Sequence, residues 1–230
     1  MAGAGNDLRA TLLAGLRELQ LNLSDDQVGQ LLDYLNLIAK WTQVYNLTAV
    51  RDPAEMMTHH LLDSLAAIPP LQHYLKNAGL GQGASVLDVG SGAGLPGVVM
   101  AICCPTLAVT CVDTVAKKAA FIKQAALALK LPNLQGLHAR VETLTQPFDL
   151  ICSRAFASLA DFTQWSGGAL AHHGVWMAMK GKQPAEELAA LPPTVEVFHV
   201  EQLQVPGLDA ERCIVWMRCK PAAAGPDQQG

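Results

Sequence analysis

The stretch VLDVGSGAGLPG, residues 86–97, constrains this chain more than any other. An apolar run leads into Asp88. Gly90, Gly92, Gly94 and Gly97 follow, with Leu95 and Pro96 set between the last two. That order predicts a buried strand, a tight glycine loop and a helix start. Such a unit lays a ligand against bare backbone N–H groups at the carboxyl end of a parallel sheet. Downstream, LAVTCVD (107–113), LQGLHA, FDLICSR and VWMAMK read as further strands. PGVVMAIC, KKAAFIKQAALALK (117–130) and a stretch near 158–170 read as the helices between them. TVEVFHVEQLQV and ERCIVWMRCK are separated only by PGLDA and read as an antiparallel hairpin. The expected class is α/β: a doubly wound, mostly parallel sheet with an antiparallel last strand.

The first 80 residues carry a different pattern. Leu8, Leu12, Leu13, Leu16 and Leu19 fall on one helical face. Ser24 and Gln27 have capping-box spacing, and Val28, Leu31, Leu32, Leu35 and Ile38 continue at helical period. Another helix is expected from about Ala54 to Ile68, stopping at Pro69-Pro70. The organisation expected is an N-terminal helical lobe (1–80), a ligand-binding domain (81–220) and a disordered tail (221–230).

Composition limits the setting. Half of the 230 residues are hydrophobic, enough for a sizeable core. The six cysteines form no CxxC pair and have no histidine at zinc-finger spacing, which reads as reduced, buried thiols in a cytoplasmic protein. The N-terminus lacks the apolar core of a signal peptide. The longest apolar run, 98–104, is too short to span a membrane. His59 and His60, near Asp63, are adjacent to each other and lack the i, i+4 histidine spacing of a zinc-ligand pair, so no metal is expected. Nothing suggests an obligate dimer, and a monomer is expected. The net charge of −4 argues against nonspecific nucleic-acid binding, yet charge is unevenly spread. Residues 85–182 hold 8 Lys+Arg against 5 Asp+Glu, whereas both flanks are acidic. Either this is ordinary scatter, or an anionic partner binds near the glycine loop.

Gly92, Gly94 and Gly97 satisfy GxGxxG, which alone fits several nucleotides. Asp113 closes the second strand, where a carboxylate accepts from ribose hydroxyls. Three features favour S-adenosylmethionine over a dinucleotide. Asp88 lies inside the strand, where it would repel a pyrophosphate but suit a cofactor carrying an ammonium and a sulfonium. Glu142 follows the third strand, placed for an adenine amino group directly or through backbone neighbours. The antiparallel hairpin is common in methyltransferases. Asp88 also has a plain structural reading, as a buried carboxylate bonded to loop N–H groups. A NAD-dependent oxidoreductase on the same fold remains the enzyme alternative.

WTQVYNLTAVRDPAEMMTHHLLDSL (41–65), VLDVGSGAGLPG (86–97), RVE (140–142), FDLICSRAFASL (148–159), MAMKGKQPAEE (177–187) and LQVPGLDAER (203–212) together resemble the RsmG/GidB family. Its members are bacterial 16S ribosomal RNA guanine-N7 methyltransferases. The resemblance runs through nearly the whole chain, in order. It departs at Thr42, where the family usually has Asn. It implies cofactor contacts at Gly90, Leu95, Val141, Glu142 and Arg154. It also implies Arg140, Lys180 and Arg51 facing the RNA of the small ribosomal subunit or its precursor. Arg154 would serve equally as a structural ion-pair residue, and Arg140 and Lys180 as surface charges.

Guanine N7 has an in-plane lone pair and no proton, so its methylation needs alignment rather than a base. The fourth strand is followed by SRAF (153–156), not by the Pro-Pro motif of exocyclic-amine methyltransferases; LPPT (191–194) lies beyond the fifth strand. Cys152 sits within a strand and is expected to be buried, which argues against a cysteine nucleophile. The N7 edge is obstructed in a helix, so the target must be splayed out. Asn46 and Arg154 are candidates to orient it, although Asn46 also reads as a turn residue or helix cap. A non-catalytic ribosome-assembly protein keeping the cofactor pocket is the remaining alternative.

Overall fold

A computed structural model describes residues 2–182 and 184–221, with side chains from Asp7 onward. The expected tail therefore lies, apart from Pro221, outside the described residues. Seven strands form one sheet: β1 (Ser85–Val89), β2 (Ala108–Asp113), β3 (Leu134–His138), β4 (Phe148–Arg154), β5 (Leu170–Lys180), β6 (Val195–Leu203) and β7 (Arg212–Cys219). Their order is β3-β2-β1-β4-β5-β7-β6. β1 to β5 run parallel, and β7 is antiparallel to both β5 and β6. The expected fold class is what the chain adopts. β1, with neighbours β2 and β4 winding away in opposite directions, opens the crevice where ligands of such sheets bind.

The helices are α1 (Ala2–Glu18), α2 (Asp25–Tyr45), α3 (Pro53–Met56), α4 (Asp63–Leu65), α5 (Ile68–Asn77), α6 (Gly97–Cys103), α7 (Ala116–Ala128), α8 (Leu159–Ser166) and α9 (Ala185–Ala189). Ser24 caps α2 through the full reciprocal box with Gln27. Between α3 and α4 the chain makes a π-helical stretch, Met57–Leu62, which shifts the side-chain register just before Asp63. The helical stretch that begins at Pro53 ends at Leu65, a little before the paired prolines, which open the next helix instead of closing this one. Pro69 and Pro70 stand in the first turn of α5, where a missing N–H costs no helical hydrogen bond. A short helix, α9, also follows β5.

Five cysteines are buried, Cys219 is exposed, and all six are free. Among the described residues no helix is long and apolar enough to cross a membrane.

The N-terminal helices cover one face of the sheet. Leu12, Leu31, Tyr34 and Leu61 belong to the same buried cluster as Val98, Phe121, Leu150 and Trp216. Leu87, Ile151, Trp176 and Val215 form the core on the opposite face. Side chains of α2 also satisfy carbonyls at the ends of sheet-side elements: Gln27 Nε2 donates to Ile102 O (2.7 Å) and Gln30 Nε2 to Leu129 O (2.8 Å). These bonds fix α2 over the carboxyl-terminal ends of α6 and α7.

Candidate active site

The glycine loop leaves β1 with Gly90, Gly92 and Gly94 all at positive φ, from 59° to 85°. An added Cβ at Gly90 would collide with the Phe156 ring. Only glycine therefore allows both the turn and the close approach of that ring. The loop is held from three sides. Gly90 N–H and Ser91 N–H donate to Val112 O, Gly92 N–H donates to Asp113 Oδ2 (3.0 Å), and Tyr34 Oη donates to Ala93 O (2.6 Å).

Asp88 supports the loop from beneath. Its carboxylate is fully buried, Oδ2 accepts from Gly97 N–H at 2.9 Å, and Oδ1 has no partner. Burial pushes this carboxyl up to about 7, against the Gly97 hydrogen bond and the Arg154 charge. Asp88 lines neither cavity of the site, so the structural reading describes its position.

A cavity of about 270 Å³ opens at the carboxyl ends of β1, β2 and β3. Gly90, Asp113, Val141 and Glu142 line it, with Phe156 and Trp165 as an aromatic wall. Asp113 is 5% exposed and accepts from Gly92 N–H and, through Oδ1, from Val115 N–H (2.8 Å). Each oxygen keeps a lone pair for a hydroxyl. Glu142 receives Arg140 Nη2 at 2.7 Å, and this bond holds its carboxyl below the ordinary range. The expected cofactor residues Gly90, Asp113, Val141 and Glu142 thus converge. Gly92 and Leu95 stand in the loop without lining the cavity, and Leu95 is buried.

A second cavity, about 520 Å³, adjoins the first. Its wall includes His59, His60, Asp63, Arg154, Lys180, Arg212 and Cys213. At its centre Asp63, buried to 3%, accepts from Arg154 Nη1 (2.8 Å) on Oδ2 and from Arg212 Nε (2.8 Å) on Oδ1. Arg154 also donates to His59 O at 2.9 Å. Arg154 is therefore an ion-pair residue on the wall of the second cavity, and unlike Val141 and Glu142 it does not line the first. His60 Nε2 bonds Thr48 Oγ1 (2.7 Å) while its Nδ1 is buried without a partner. Burial, and then the Arg154 charge, lower this imidazole from its ordinary value.

Residues 154–156 separate the cavities. Arg154 and Ala155 face the second and Phe156 faces the first. Ala155 stands at φ 52°, a left-handed conformation that costs a non-glycine residue about 1 kcal/mol or more.

Three expected site residues, Lys180, Asn46 and Arg51, spend their polar groups on partners within the protein. Lys180 does not point outward: it is largely buried, bonded to Glu187 Oε2 (2.8 Å) and to Ala157 O (3.1 Å). It ties the 154–158 segment to α9. Asn46 is the left-handed C-cap of α2, and its Oδ1 takes Arg51 Nη2 at 2.6 Å. Neither Asn46 nor Arg51 lines a cavity, although Val50 and Glu55 do. Thr42 is buried with its hydroxyl unpartnered. Sequence reading did not find the Asp63–Arg212 bond, Phe156 or Trp165 as site residues. The first joins residues 149 positions apart and leaves no local signal.

Comparison with known proteins bears on this geometry. Residues 27–215 match the profile of GidB, rRNA small subunit methyltransferase G. The chain is 82% identical over 230 residues to ribosomal RNA small subunit methyltransferase G of Polaromonas sp., covering all of both. It is 63% identical to the protein of that name from Paracidovorax citrulli, over 100% of this chain and 98% of the other. Among solved structures, TrmN from Thermus thermophilus matches with TM-score 0.53 and 20% identity, over 71% of this chain and 53% of that one. N-methyltransferase NodS from Bradyrhizobium japonicum matches with TM-score 0.52 and 14% identity, over 70% and 97%. At such identities these two speak for the fold alone. The family profile covers most of the chain and the relatives match its full length: this chain belongs to the rRNA small subunit methyltransferase G (GidB) family.

Proposed function

We propose that this protein transfers a methyl group from S-adenosylmethionine to N7 of a guanine in 16S rRNA of the small ribosomal subunit. The carrying observation is that three consecutive residues serve two cavities, Arg154 and Ala155 lining the second and Phe156 the first. One is adenosine-sized and framed by a glycine loop, and the other is larger and cation-lined.

The first cavity fits the cofactor. Asp113 stands at the ribose position, Val141 and Glu142 at the adenine end, and Phe156 and Trp165 offer a flat apolar wall. Bound there, the cofactor supplies an electrophilic sulfonium methyl group. The protein's own part is orientation and exclusion of water. Nothing on the walls needs to take a proton from N7. Asp63 is locked between two guanidiniums and Asp88 is sealed under the loop. Burial raises the thiols of Cys152 and Cys213, so neither offers a thiolate nucleophile. Arg154 and Arg212, on the wall of the second cavity, would hold the anionic acceptor, and Arg140, at the rim of the first, and Arg51, held by Asn46, would meet its backbone. Asn46 acts through Arg51, and Lys180 through the segment it ties down. The protein works as a cytoplasmic monomer without metal. Residues 1–80 serve as the lobe that closes the second cavity.

The decisive measurement is borohydride–aniline cleavage and primer extension on 16S rRNA from wild-type and deletion strains. The expected result is one N7-methylguanine stop lost on deletion and restored by the gene. An unchanged pattern sinks the proposal. Thermal stabilisation by NAD and not by S-adenosylmethionine would point to the oxidoreductase instead.

A further inference from the structure

Between Asp113 and Glu142 lie 28 residues with no acid and five cations: Lys117, Lys118, Lys123, Lys130 and Arg140. In an acidic protein this is the longest such segment to reach the cofactor cavity. Asp113 and Thr114 line that cavity, and the chain then runs through exposed Val115 directly into α7. Lys117, Lys123, Lys130 and Arg140 are all exposed. The basic surface thus begins at the cavity rim.

One aromatic residue stands against it. Tyr45, the last residue of α2, is 46% exposed, and Lys117 Nζ lies 5.6 Å from its ring centroid. The ring is not loose. Its centroid is 5.0 Å from that of Trp41, and Trp41 packs edge-on at 5.3 Å against Phe121, which is fully buried in α7. A half-exposed tyrosine anchored through two aromatics has already lost its rotamer freedom, so a second flat group meets a fixed surface. The neighbouring Val44 is 70% exposed and Val115 44%. On its other side Tyr45 abuts Asn46, whose amide holds Arg51 beside Val50 of the second cavity. The aromatic surface is thus linked to the first cavity through Lys117, three residues after Thr114, and to the second through Asn46 and Arg51.

We propose that Tyr45 and Lys117 form a stacking platform for an unpaired base flanking the methylated guanine, Tyr45 taking the base and Lys117 an adjoining phosphate. An aromatic face beside a cationic track is the chemistry that grips single-stranded nucleic acid without reading its sequence. It also suits this reaction, because a guanine splayed from its stack leaves a neighbour exposed. An acidic protein would use the lysines of α7 but has no use for a fixed aromatic face. The inference rests on the methyltransferase reading above.

The test uses full-length protein with small ribosomal subunits from a strain lacking the gene. It measures subunit binding across a salt series, methyl transfer, and the Kd for S-adenosylmethionine. Tyr45→Ala should weaken subunit binding about tenfold, with Tyr45→Phe close to wild type. Lys117→Ala should weaken binding and lower the salt slope by about one. Cofactor affinity should not move in any of them. If the wild type methylates subunits and Tyr45→Ala binds them equally well, the platform is wrong and the activity stands. If the wild type binds subunits in a Tyr45-dependent way but transfers no methyl group, the platform stands and the activity falls. Loss of binding to polyglutamate in parallel with loss of binding to subunits would overturn the base-stacking role.

Discussion

Tyr34 Oη donates a 2.6 Å hydrogen bond to the carbonyl of Ala93, inside the glycine loop, from a side chain with no exposed surface. The loop's shape thus depends on a helix 59 residues away. In Tyr34→Phe the Ala93 carbonyl loses its buried donor, at a cost of about 1–3 kcal/mol. Urea unfolding should show that loss, and the Kd for S-adenosylmethionine should rise several-fold. A variant with unchanged stability and cofactor affinity would mean that the loop holds its shape alone.

Asp63 joins Arg154 and Arg212 from three distant segments. Removing its carboxylate in Asp63→Ala leaves two guanidiniums facing each other in a mostly closed site. A fully buried pair broken this way costs about 3–5 kcal/mol. The arginine side chains are 19% and 25% exposed, so water relieves part of the charge. About 2–4 kcal/mol of destabilisation is expected in denaturant melts, with methyl transfer largely lost. Full activity in this variant would remove the two-arginine clamp from the mechanism.

Burial raises the Asp88 carboxyl from 3.8 to about 7, so the native state favours its protonated form. Its contribution to stability is therefore complete below about pH 4 and is lost progressively as pH rises through about 7. The loss amounts to about 4 kcal/mol. His60 works in the opposite sense. Its lowered pKa gives stability above pH 6.5 that is lost as pH falls through the native value. Comparison with Asp88→Asn isolates the carboxyl: stability of the variant relative to wild type should climb between pH 4 and pH 7. A flat difference curve would show that Asp88 ionises freely.

Acidic flanks surround the basic segment, and net charge is −4. Long-range attraction to bare RNA is correspondingly weak. Methyl transfer to protein-free 16S rRNA should be markedly slower than to a subunit or precursor particle. Equal initial rates on both, at matched salt, would contradict this.

The sheet was readable because each element is announced locally. Asp88 and the glycines mark a strand–loop–helix, Ser24 and Gln27 a capped start, and the PGLDA turn a hairpin. The Pro69-Pro70 pair misleads because one dipeptide suits a stop or a first turn, and only the chain beyond it decides. The site was half legible. Gly90, Asp113, Val141 and Glu142 each follow a strand end, so their convergence follows from the fold. Partnerships did not show. Lys180 meets Glu187 and Asn46 meets Arg51 through turns that periodicity does not encode. Arg154 meets Asp63, 91 positions away and just after a π-helical stretch that sequence periodicity does not announce.

The helices of residues 1–80 and one face of the sheet share a single apolar cluster, and Tyr34 carries that cluster to the glycine loop. Such a core has no internal seam along which it could open in two steps. A ligand seated on the loop then strengthens α2 by the same free energy as it strengthens β1. Slowed amide exchange in Val28–Ile38 on adding S-adenosylmethionine would be the outward sign. In this molecule a ligand in the glycine-loop cavity would act as a thermodynamic handle on the helices that line the second cavity.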